Sequence, residues 1–247
     1  MLYEQRKLLI KDKLANKGIV HVLSLCAELN TSESTIRRDL IDMEKENLLK
    51  RVHGGAVSLN YDVLTNAKEL TMREKTNLNV DAKERICAQA ATYIKDGDCV
   101  FFDGGTSIYP MVKYIKAKNV TIVTHSTLVL EIINPNVEII SLGGVYNAKY
   151  NMLIGPIAQD NIRRFNFNKA FIGCACISID DNMSYTAELD SAIIKELAME
   201  NSIQTYLLCD KSKIGFKGFY AFKELSEFNK IFTDDNNSLD NMERVYE

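Results

Sequence analysis

The first part of the chain carries apolar residues at helical spacing, interrupted by short polar breaks. Residues 3–16 and the segment HVLSLCAELN from residue 21 are predicted to form the first two helices. TSESTIRRDLIDMEKEN is predicted to form a third, with Thr31 or Ser32 as its N-cap. In LLKRVHGGAV, the Gly54–Gly55 pair between two β-compatible runs predicts a hairpin. Three helices followed by a hairpin are typical of a winged helix-turn-helix, which we assign to residues 1–57.

The pattern changes from about residue 80, where helical segments alternate with short apolar runs. The predicted strands are, in chain order, CVFFD, VTIVT, VEIISLG, KAFIGCACI, TYLLCD and KIFTD. This alternation predicts an α/β domain with a largely parallel sheet over residues 79–247. Residues 58–78 are polar and lack strong periodicity, so we predict a linker or a loosely packed helix there.

Composition adds limits to this two-domain prediction. The chain has 247 residues, 46% of them apolar, which is ample for one large or two ordinary cores. No apolar run reaches the length of a membrane span, and the charged N-terminus does not resemble a signal peptide. Six cysteines are scattered without metal-like spacing, and the Cys174–Cys176 pair lies in a run typical of a buried strand. We expect a reducing, cytoplasmic compartment, no metal, no cofactor and no membrane partner.

Charge is unevenly divided between the two predicted domains. Residues 1–57 carry ten Lys/Arg against eight Asp/Glu, a net +2, whereas residues 58–247 carry twenty against twenty-five, a net −5. This asymmetry is too mild to indicate nucleic-acid binding by itself.

The third predicted helix concentrates basic and hydroxyl side chains at its start. With Ile36, Leu40 and Met43 on the inner side at 100° per residue, Arg38 lies roughly opposite and Arg37 flanks the apolar stripe. In a helix-turn-helix, the start of this helix contacts bases and phosphates in the major groove, and the arginine fork suits both targets.

A solvated helix face is the alternative, with Arg38 paired to Asp42 one turn later. The short upstream helix and the basic hairpin that follows favour DNA binding instead. The predicted DNA-contacting residues are Ser32, Ser34, Thr35, Arg37, Arg38, Arg51 and His53.

The segment FFDGGTSIYP follows an apolar strand and is a candidate anion site. Gly104 and Gly105 offer backbone N–H groups, and Thr106 and Ser107 add hydroxyls where a helix is predicted to begin. An ordinary β-to-α turn is the alternative, since the segment matches neither the Walker A pattern nor GxGxxG.

Similar polar residues follow other predicted strands, where parallel strands would bring them to one edge of the sheet. These are Thr124, His125 and Ser126, then Gly143 and Gly144, then Asp210, Lys211, Ser212 and Lys213. A lysine among hydroxyls and backbone N–H groups indicates a phosphorylated, hydroxyl-rich small molecule. For His125 taken alone, the less favoured alternative is an ordinary loop residue hydrogen-bonded to the backbone.

TSESTIRRDLIDMEKENLLKRVHGGAV resembles the N-terminal domain of the DeoR family of bacterial transcriptional regulators. The STIRRDL core and the RVHGGA wing are intact, and Asn47 stands where the family usually has glycine. The resemblance continues to about Asp234. It implies a C-terminal domain related in fold to ribose-5-phosphate isomerase that senses a sugar phosphate.

The resemblance also implies which residues bind the effector. Those matching the family pattern are Asp103, Gly104, Gly105, Thr106, Ser107, Thr124, His125, Ser126, Gly143, Gly144, Glu188, Asp210, Ser212 and Lys213. Two positions depart from it, with Asn168 in place of the usual aspartate and Cys176 in place of glycine.

Two functions fit these observations. The first is a non-enzymatic repressor of sugar-metabolism genes, a dimer or tetramer on double-stranded operator DNA, controlled by a phosphorylated sugar. The second is a sugar-phosphate isomerase fused to a DNA-binding module, with Asp103, Glu188 and Lys213 in catalytic roles. We favour the first, because these groups are needed merely to bind a sugar and because kinship of fold does not confer chemistry.

Overall fold

The computed structural model describes residues 2–17, 19–52, 55–58 and 70–234. The chain divides into two compact units, Met1–Glu69 and Leu70–Glu247. Residues 59–69 of the predicted linker lie outside the described residues, as do 235–247 of the predicted effector domain. Within the described ranges, no helix combines the length and the apolar character needed to cross a bilayer.

The first unit contains three helices and a small antiparallel sheet. Its elements are α1 (Tyr3–Lys17), β1 (Ile19–His21), α2 (Val22–Leu29), α3 (Glu33–Lys45), β2 (Lys50–Val52) and β3 (Gly55–Val57). The hairpin β2–β3 confirms the predicted wing, and β1 pairs with the other side of β3. The sequence pattern does not predict β1, because a three-residue strand is too short to show alternation.

One face of α3 packs into the core of this unit. Ile36, Leu40 and Met43 are buried, which confirms the predicted inner side. Asp39 on the same helix is also buried, and its carboxylate accepts two hydrogen bonds from Arg6 of α1, at 2.5 and 2.9 Å. This paired, bidentate contact supplies the partner that a buried charge requires.

The second unit is an α/β domain. Its helices and strands are, in chain order, α4 (Met72–Thr76), α5 (Val80–Ala91), β4 (Cys99–Phe102), β5 (Val120–Thr124), β6 (Val137–Ser141), β7 (Val145–Asn147), β8 (Met152–Ile154), α6 (Pro156–Ile162), β9 (Phe167–Gly173), β10 (Cys176–Ser178), β11 (Met183–Thr186), α7 (Leu189–Glu200), β12 (Ser202–Leu208), β13 (Tyr220–Glu224) and β14 (Lys230–Phe232).

Six of these strands form one sheet in the order β14-β12-β9-β4-β5-β6, and every neighbouring pair is parallel. Each of the six predicted apolar runs contributes one strand to this sheet, so the predicted parallel sheet is confirmed. All six strands therefore end at the same edge, where the predicted effector-binding loops follow β4, β5, β6 and β12.

Side chains alternate between the two faces of this sheet, and both faces are covered. Phe101 and Leu207 pack on one side with residues of α6 and α7. Phe102 and Leu208, their chain neighbours, pack on the other side with residues of α5. Burial on both faces explains why these strands are continuous apolar runs rather than alternating ones.

Some predicted elements differ in detail. The segment TSIYPMVKYI forms a short 3₁₀ helix, Tyr109–Tyr114, rather than an α-helix. Pro110 lies in its first turn, where the missing N–H costs no helical hydrogen bond. KAFIGCACI does not form one strand: β9 ends at Gly173, and β10 belongs to a separate antiparallel sheet with β11 and β13. Cys174 and Cys176 are both buried, but Cys174 lies in the break between the two strands and Cys176 is the first residue of β10.

Residues 70–78, at the end of the predicted linker, are part of the second unit. Thr71 and Glu74 form a capping box that starts α4. Met72 is buried, and its N–H donates to the carbonyl of Lys149 at 2.9 Å. Nine residues of the predicted linker, 70–78, therefore lie inside the compact unit that begins at Leu70.

Candidate DNA interface and effector site

The first turn of α3 presents a cluster of hydroxyls. Ser32 is the N-cap, and its Oγ accepts the N–H of Thr35 at 3.4 Å. The same Oγ lies 3.0 Å from Ser34 Oγ and 2.9 Å from Thr35 Oγ1. The first turn is therefore fixed by its own side chains, with free N–H groups and hydroxyls at a helix start that suits an anion.

Arg37 and Arg38 are both exposed on α3, but their surroundings differ. The guanidinium of Arg37 donates to Glu33 one turn earlier, at 3.1 Å. Arg38 does not pair with Asp42, whose carboxylate instead accepts from Lys45 at 3.0 Å. Across the described parts of the chain, Arg38 makes no ion pair, so the alternative of an Arg38–Asp42 pair is not observed.

Arg51 in β2 is tied to the end of α3. Its backbone N–H and its Nε donate to Glu44, at 2.8 and 2.6 Å. These hydrogen bonds from Arg51 hold the pKa of Glu44 below its ordinary value. The contact fixes the wing against α3, while His53 and Gly54 at the hairpin turn lie outside the described residues.

In the second unit, Asp103 directly follows β4 and is completely buried. Its Oδ2 accepts the N–H of Gly173 at 2.9 Å and the ammonium of Lys195 on α7. Its Oδ1 lies 3.1 Å from His125 Nε2, at the end of β5. Burial alone raises the pKa of Asp103, but Lys195 and His125 outweigh burial and hold it well below its ordinary value. The carboxylate thus joins β4, β5, β9 and α7.

His125 stands between two competing partners. Its Nε2 lies 3.0 Å from the N–H of Gly104 as well as near Asp103, so it can accept from the amide or donate to the carboxylate, but not both. Its buried Nδ1 has no hydrogen-bond partner among the described residues. The same is true of Ser126 Oγ and of Ser191 Oγ on α7.

Thr124 has a structural role. Its Oγ1 donates to the carbonyl of Phe102 at 2.7 Å and accepts the N–H of Ser126 at 3.0 Å. Gly104 is required by close packing, because a Cβ there would overlap the side chain of Met152, whereas its φ is not in the left-handed region. These residues shape the edge of the sheet on which the remaining groups lie.

Lys213 links two of the predicted loops. Its Nζ lies 3.2 Å from Ser107 Oγ, 3.1 Å from the carbonyl of Cys174 and 3.8 Å from Asp210 Oδ2. Burial lowers the pKa of Lys213, but the neighbouring Asp210 carboxylate outweighs it and the pKa lies above its ordinary value. The same pairing lowers the pKa of Asp210 against the effect of burial.

Only one of the two carboxylate oxygens of Asp210 accepts hydrogen bonds within the described residues. Oδ1 accepts from Asn79 Nδ2 at 3.0 Å and from Ser212, through its N–H at 3.2 Å and its hydroxyl at 2.5 Å. Oδ2 is buried and accepts no hydrogen bond within the described structure. An unpaired buried carboxylate oxygen next to an ammonium is suited to a ligand hydroxyl.

The other predicted residues are less closely joined. Glu188 caps α7 by accepting the N–H groups of Asp190 and Ser191, at 3.2 and 2.5 Å. Gly143 donates its N–H to Asn161 Oδ1 at 3.0 Å. Gly144 has a φ of +139° and a Cβ there would lie 2.6 Å from the carbonyl of Ile154. Within the described residues, no hydrogen bond or ion pair joins Glu188 or these glycines to Asp103 or Lys213. Thr106 is buried beside Ser107.

Lys195 and Lys83 are not among the predicted site residues, although both are buried on helices. In each case a lysine interrupts the apolar face of its helix, which is the signal that marks it. The described residues contain no group of His, Cys, Asp or Glu arranged to hold a metal. A groove of about 300 Å³ between Tyr93, Lys169 and Tyr206 lies at the opposite edge of the sheet, where these strands begin.

Both units match known family models. Residues 6–61 match the DeoR-like helix-turn-helix domain, and residues 78–235 match the DeoR C-terminal sensor domain. The chain is 32% identical over 236 residues to a protein named "Uncharacterized HTH-type transcriptional regulator FruR" from Bacillus subtilis (strain 168), covering 95% of this chain and 92% of that protein. It is 31% identical over 238 residues to a lactose phosphotransferase system repressor of Staphylococcus epidermidis (strain ATCC 12228 / FDA PCI 1200), covering 94% and 92%.

The structure of ribose 5-phosphate isomerase A from Methanocaldococcus jannaschii has a TM-score of 0.39, with 15% identity over 55% of each chain. At this TM-score and identity, the similarity gives no information about the chemistry of this chain. The matching families and the named relatives are regulators of transcription, so the isomerase alternative is not supported. The chain belongs to the DeoR family of helix-turn-helix transcriptional regulators, and is a DNA-binding regulator with a C-terminal sensor domain.

Proposed function

We propose that this DeoR-family regulator represses genes of sugar metabolism and that a phosphorylated sugar, bound in the second unit, controls its affinity for double-stranded operator DNA. The names of its relatives, a regulator called FruR and a lactose phosphotransferase system repressor, support the sugar. The single observation that carries the phosphate is Lys213, whose ammonium contacts Ser107 Oγ beside the loop Gly104–Gly105. In a domain of net −5, an anion site has to be built locally in this way.

Polar atoms without partners support a hydroxyl-rich ligand. His125 Nδ1, Ser126 Oγ, Ser191 Oγ and Asp210 Oδ2 are buried without a hydrogen bond in the described part of the chain. Each such atom costs about 1–3 kcal/mol, which hydroxyls of a sugar would recover on binding. The oxygens of Asp103 are already engaged, so we assign it a positioning role rather than a direct contact. Gly143, Gly144 and Glu188 stay predictions.

On DNA, we propose that α3 enters the major groove, with Arg37 and Arg38 facing bases or phosphates and Arg51 on the wing reaching the backbone. One short winged helix contacts too little DNA for tight operator binding, so two heads on two half-sites are required. We therefore propose a homo-oligomer, a dimer or a tetramer, acting in the cytoplasm, with the segment around residues 59–69 joining head and sensor.

The test begins with an operator selected from random duplexes by repeated binding and amplification. The complex is then titrated by gel shift, at fixed salt, with fructose 1-phosphate, fructose 6-phosphate, galactose 6-phosphate and the matching free sugars. We expect at least one phosphate ester to change operator affinity, and its free sugar to act only at far higher concentration. Equal responses to ester and free sugar, or no response to any ester, would contradict the proposal.

A further inference from the structure

Lys83 is a buried lysine between the two loops of the proposed site. It lies on α5, and its ammonium donates to the carbonyl of Lys75 at 2.6 Å. One turn earlier, Asn79 donates to Asp210 Oδ1 and to Ser212 Oγ, at 3.0 Å each. One turn later, the thiol of Cys87 donates to the carbonyl of Ser107 at 3.2 Å. Because residues four apart share a helix face, Lys83 lies on the face that touches both loops.

The contact with Lys75 does not account for this lysine. An ammonium has three donors, and the described residues supply an acceptor for one of them. The carbonyl of Lys75 also accepts backbone N–H groups from Asn77 and Leu78, so it does not need the lysine. Burying a charged side chain without adequate partners is costly unless something else pairs with it.

The charges around Lys83 are unbalanced. The groups that act most strongly on its ammonium include two positive ones, Lys213 and Lys75, and one negative one, Asp210. Burial first, and then Lys213, lower the pKa of Lys83 to about 8. Asp210 attracts both ammonium groups, but it forms an ion pair only with the part-buried Lys213, at 3.8 Å. Among the described residues the buried Lys83 therefore has no ion-pair partner, which leaves an excess positive charge.

We propose that Lys83 binds the phosphate of the effector jointly with Lys213, so that this pair of lysines selects a dianionic phosphate ester over a neutral sugar. This assignment rests on the proposed function and adds to it the residue that sets the charge preference. A dianion placed between the two ammonium groups supplies acceptors for the remaining N–H donors of Lys83 and balances the excess positive charge.

The pairing has a measurable pH dependence. A bound phosphate raises the pKa of Lys83. At pH values where Lys83 is deprotonated in the free protein, binding of the phosphate therefore requires Lys83 to take up a proton. Affinity for the ester should be constant from pH 7 to nearly 8 and then fall by up to tenfold per pH unit above 8. The second ionisation of a phosphate ester, near pH 6, is complete before this window opens.

The test compares Lys83→Met, which keeps the apolar stem, with Lys116→Met, an exposed lysine of the same unit. Isothermal titration with the active ester of the panel, and with inorganic phosphate, is run on the full chain from pH 7 to 9.5. Lys83→Met should weaken the ester at pH 7 by at least about tenfold and remove the fall above pH 8. Lys116→Met should keep both the affinity and the profile of the wild type.

Thermal unfolding without ligand separates this role from a structural one. Removing an unbalanced buried charge should leave the melting temperature of Lys83→Met equal to or above that of the wild type. A lower melting temperature with unchanged ester affinity and an unchanged pH profile would assign Lys83 a structural role and overturn this inference alone. If the wild type binds neither any ester nor inorganic phosphate, the proposed function fails as well.

Discussion

The two candidate sites hold their charges in opposite ways. On α3, Arg37 and Arg38 stand in solvent, and of the two only Arg37 has an ion-pair partner within the described residues. In the second unit, Asp103 and Lys195 are buried and paired, and Lys213 bridges two loops. Exposed charges remain mobile and attract the phosphates of any duplex, whereas buried groups are fixed in advance and distinguish one small ligand from another. The exposed arginines of α3 are therefore suited to bind many DNA sequences, whereas the buried groups of the second unit are suited to select one ligand. Mutations at the two sites should have very different effects.

The largest effect is expected at Asp103. Asp103→Asn leaves the ammonium of Lys195 buried without its carboxylate, which should lower the free energy of unfolding by about 3–5 kcal/mol. The double variant with Lys195→Met should recover much of that loss, because no charge is then left unpaired. Urea unfolding followed by circular dichroism measures both, with Asp160→Asn, an exposed carboxylate, as a control that should change by less than about 0.5 kcal/mol.

The same variant gives a pH test with a definite sign. The folded-state pKa of Asp103 is lowered, so its contribution to stability is present above the unfolded pKa of about 3.9 and is lost as the pH falls below it. The difference between wild type and Asp103→Asn should therefore begin to shrink as the pH falls to about 4, and it should continue to shrink toward the lower folded-state pKa. A loss under about 1 kcal/mol at pH 7, or a difference independent of pH, would show that the buried pair does not stabilise the sensor unit.

The next effect separates ligand response from DNA binding. Lys213→Ala removes the ammonium that contacts Ser107, and Thr106→Ala removes a buried hydroxyl from the same loop. Both variants should lose the response of the operator complex to the active phosphate ester and keep operator affinity without ligand within about threefold. Gel-shift titration measures both quantities. A wild-type response in both variants would show that the effector does not bind at this loop.

On the exposed side, effects should be smaller and should depend on salt. Arg38→Ala is expected to cost about 1–3 kcal/mol of operator affinity, either on the selected sequence alone if it contacts a base, or on all duplexes if it contacts phosphate. Arg37→Ala should cost less, because its guanidinium must first leave Glu33. Affinity measured at several salt concentrations, on the selected operator and on a scrambled duplex, distinguishes these cases. Unchanged operator affinity in both variants would show that these arginines of α3 do not contact the DNA.

The sequence predicts the exposed site better than the buried one. The positions of Ile36 and Arg38 on opposite sides of α3 follow from the helical period alone, and the six strands follow from their apolar runs. The pairing of Asp103 with Lys195 joins residues 92 positions apart, and strand order also depends on contacts between distant segments. No local pattern in the sequence shows such contacts. The break after Gly173 is hidden for a similar reason, since KAFIGCACI is apolar whether it enters one sheet or two.

The smallest expected effect concerns the turn between α3 and the wing, where Asn47 has a φ of +54° in the left-handed region. Glycine adopts this conformation without steric cost and asparagine with little, whereas alanine loses about 1–2 kcal/mol. Asn47→Gly should therefore change the unfolding free energy of the first unit by less than about 0.5 kcal/mol, and Asn47→Ala should lower it by about 1 kcal/mol. Calorimetry of both variants measures this difference, and the response to the phosphate ester should match the wild type in each. Equal losses of about 1 kcal/mol or more for Asn47→Gly and Asn47→Ala would mean that the asparagine side chain, rather than the backbone conformation, holds the wing beside α3.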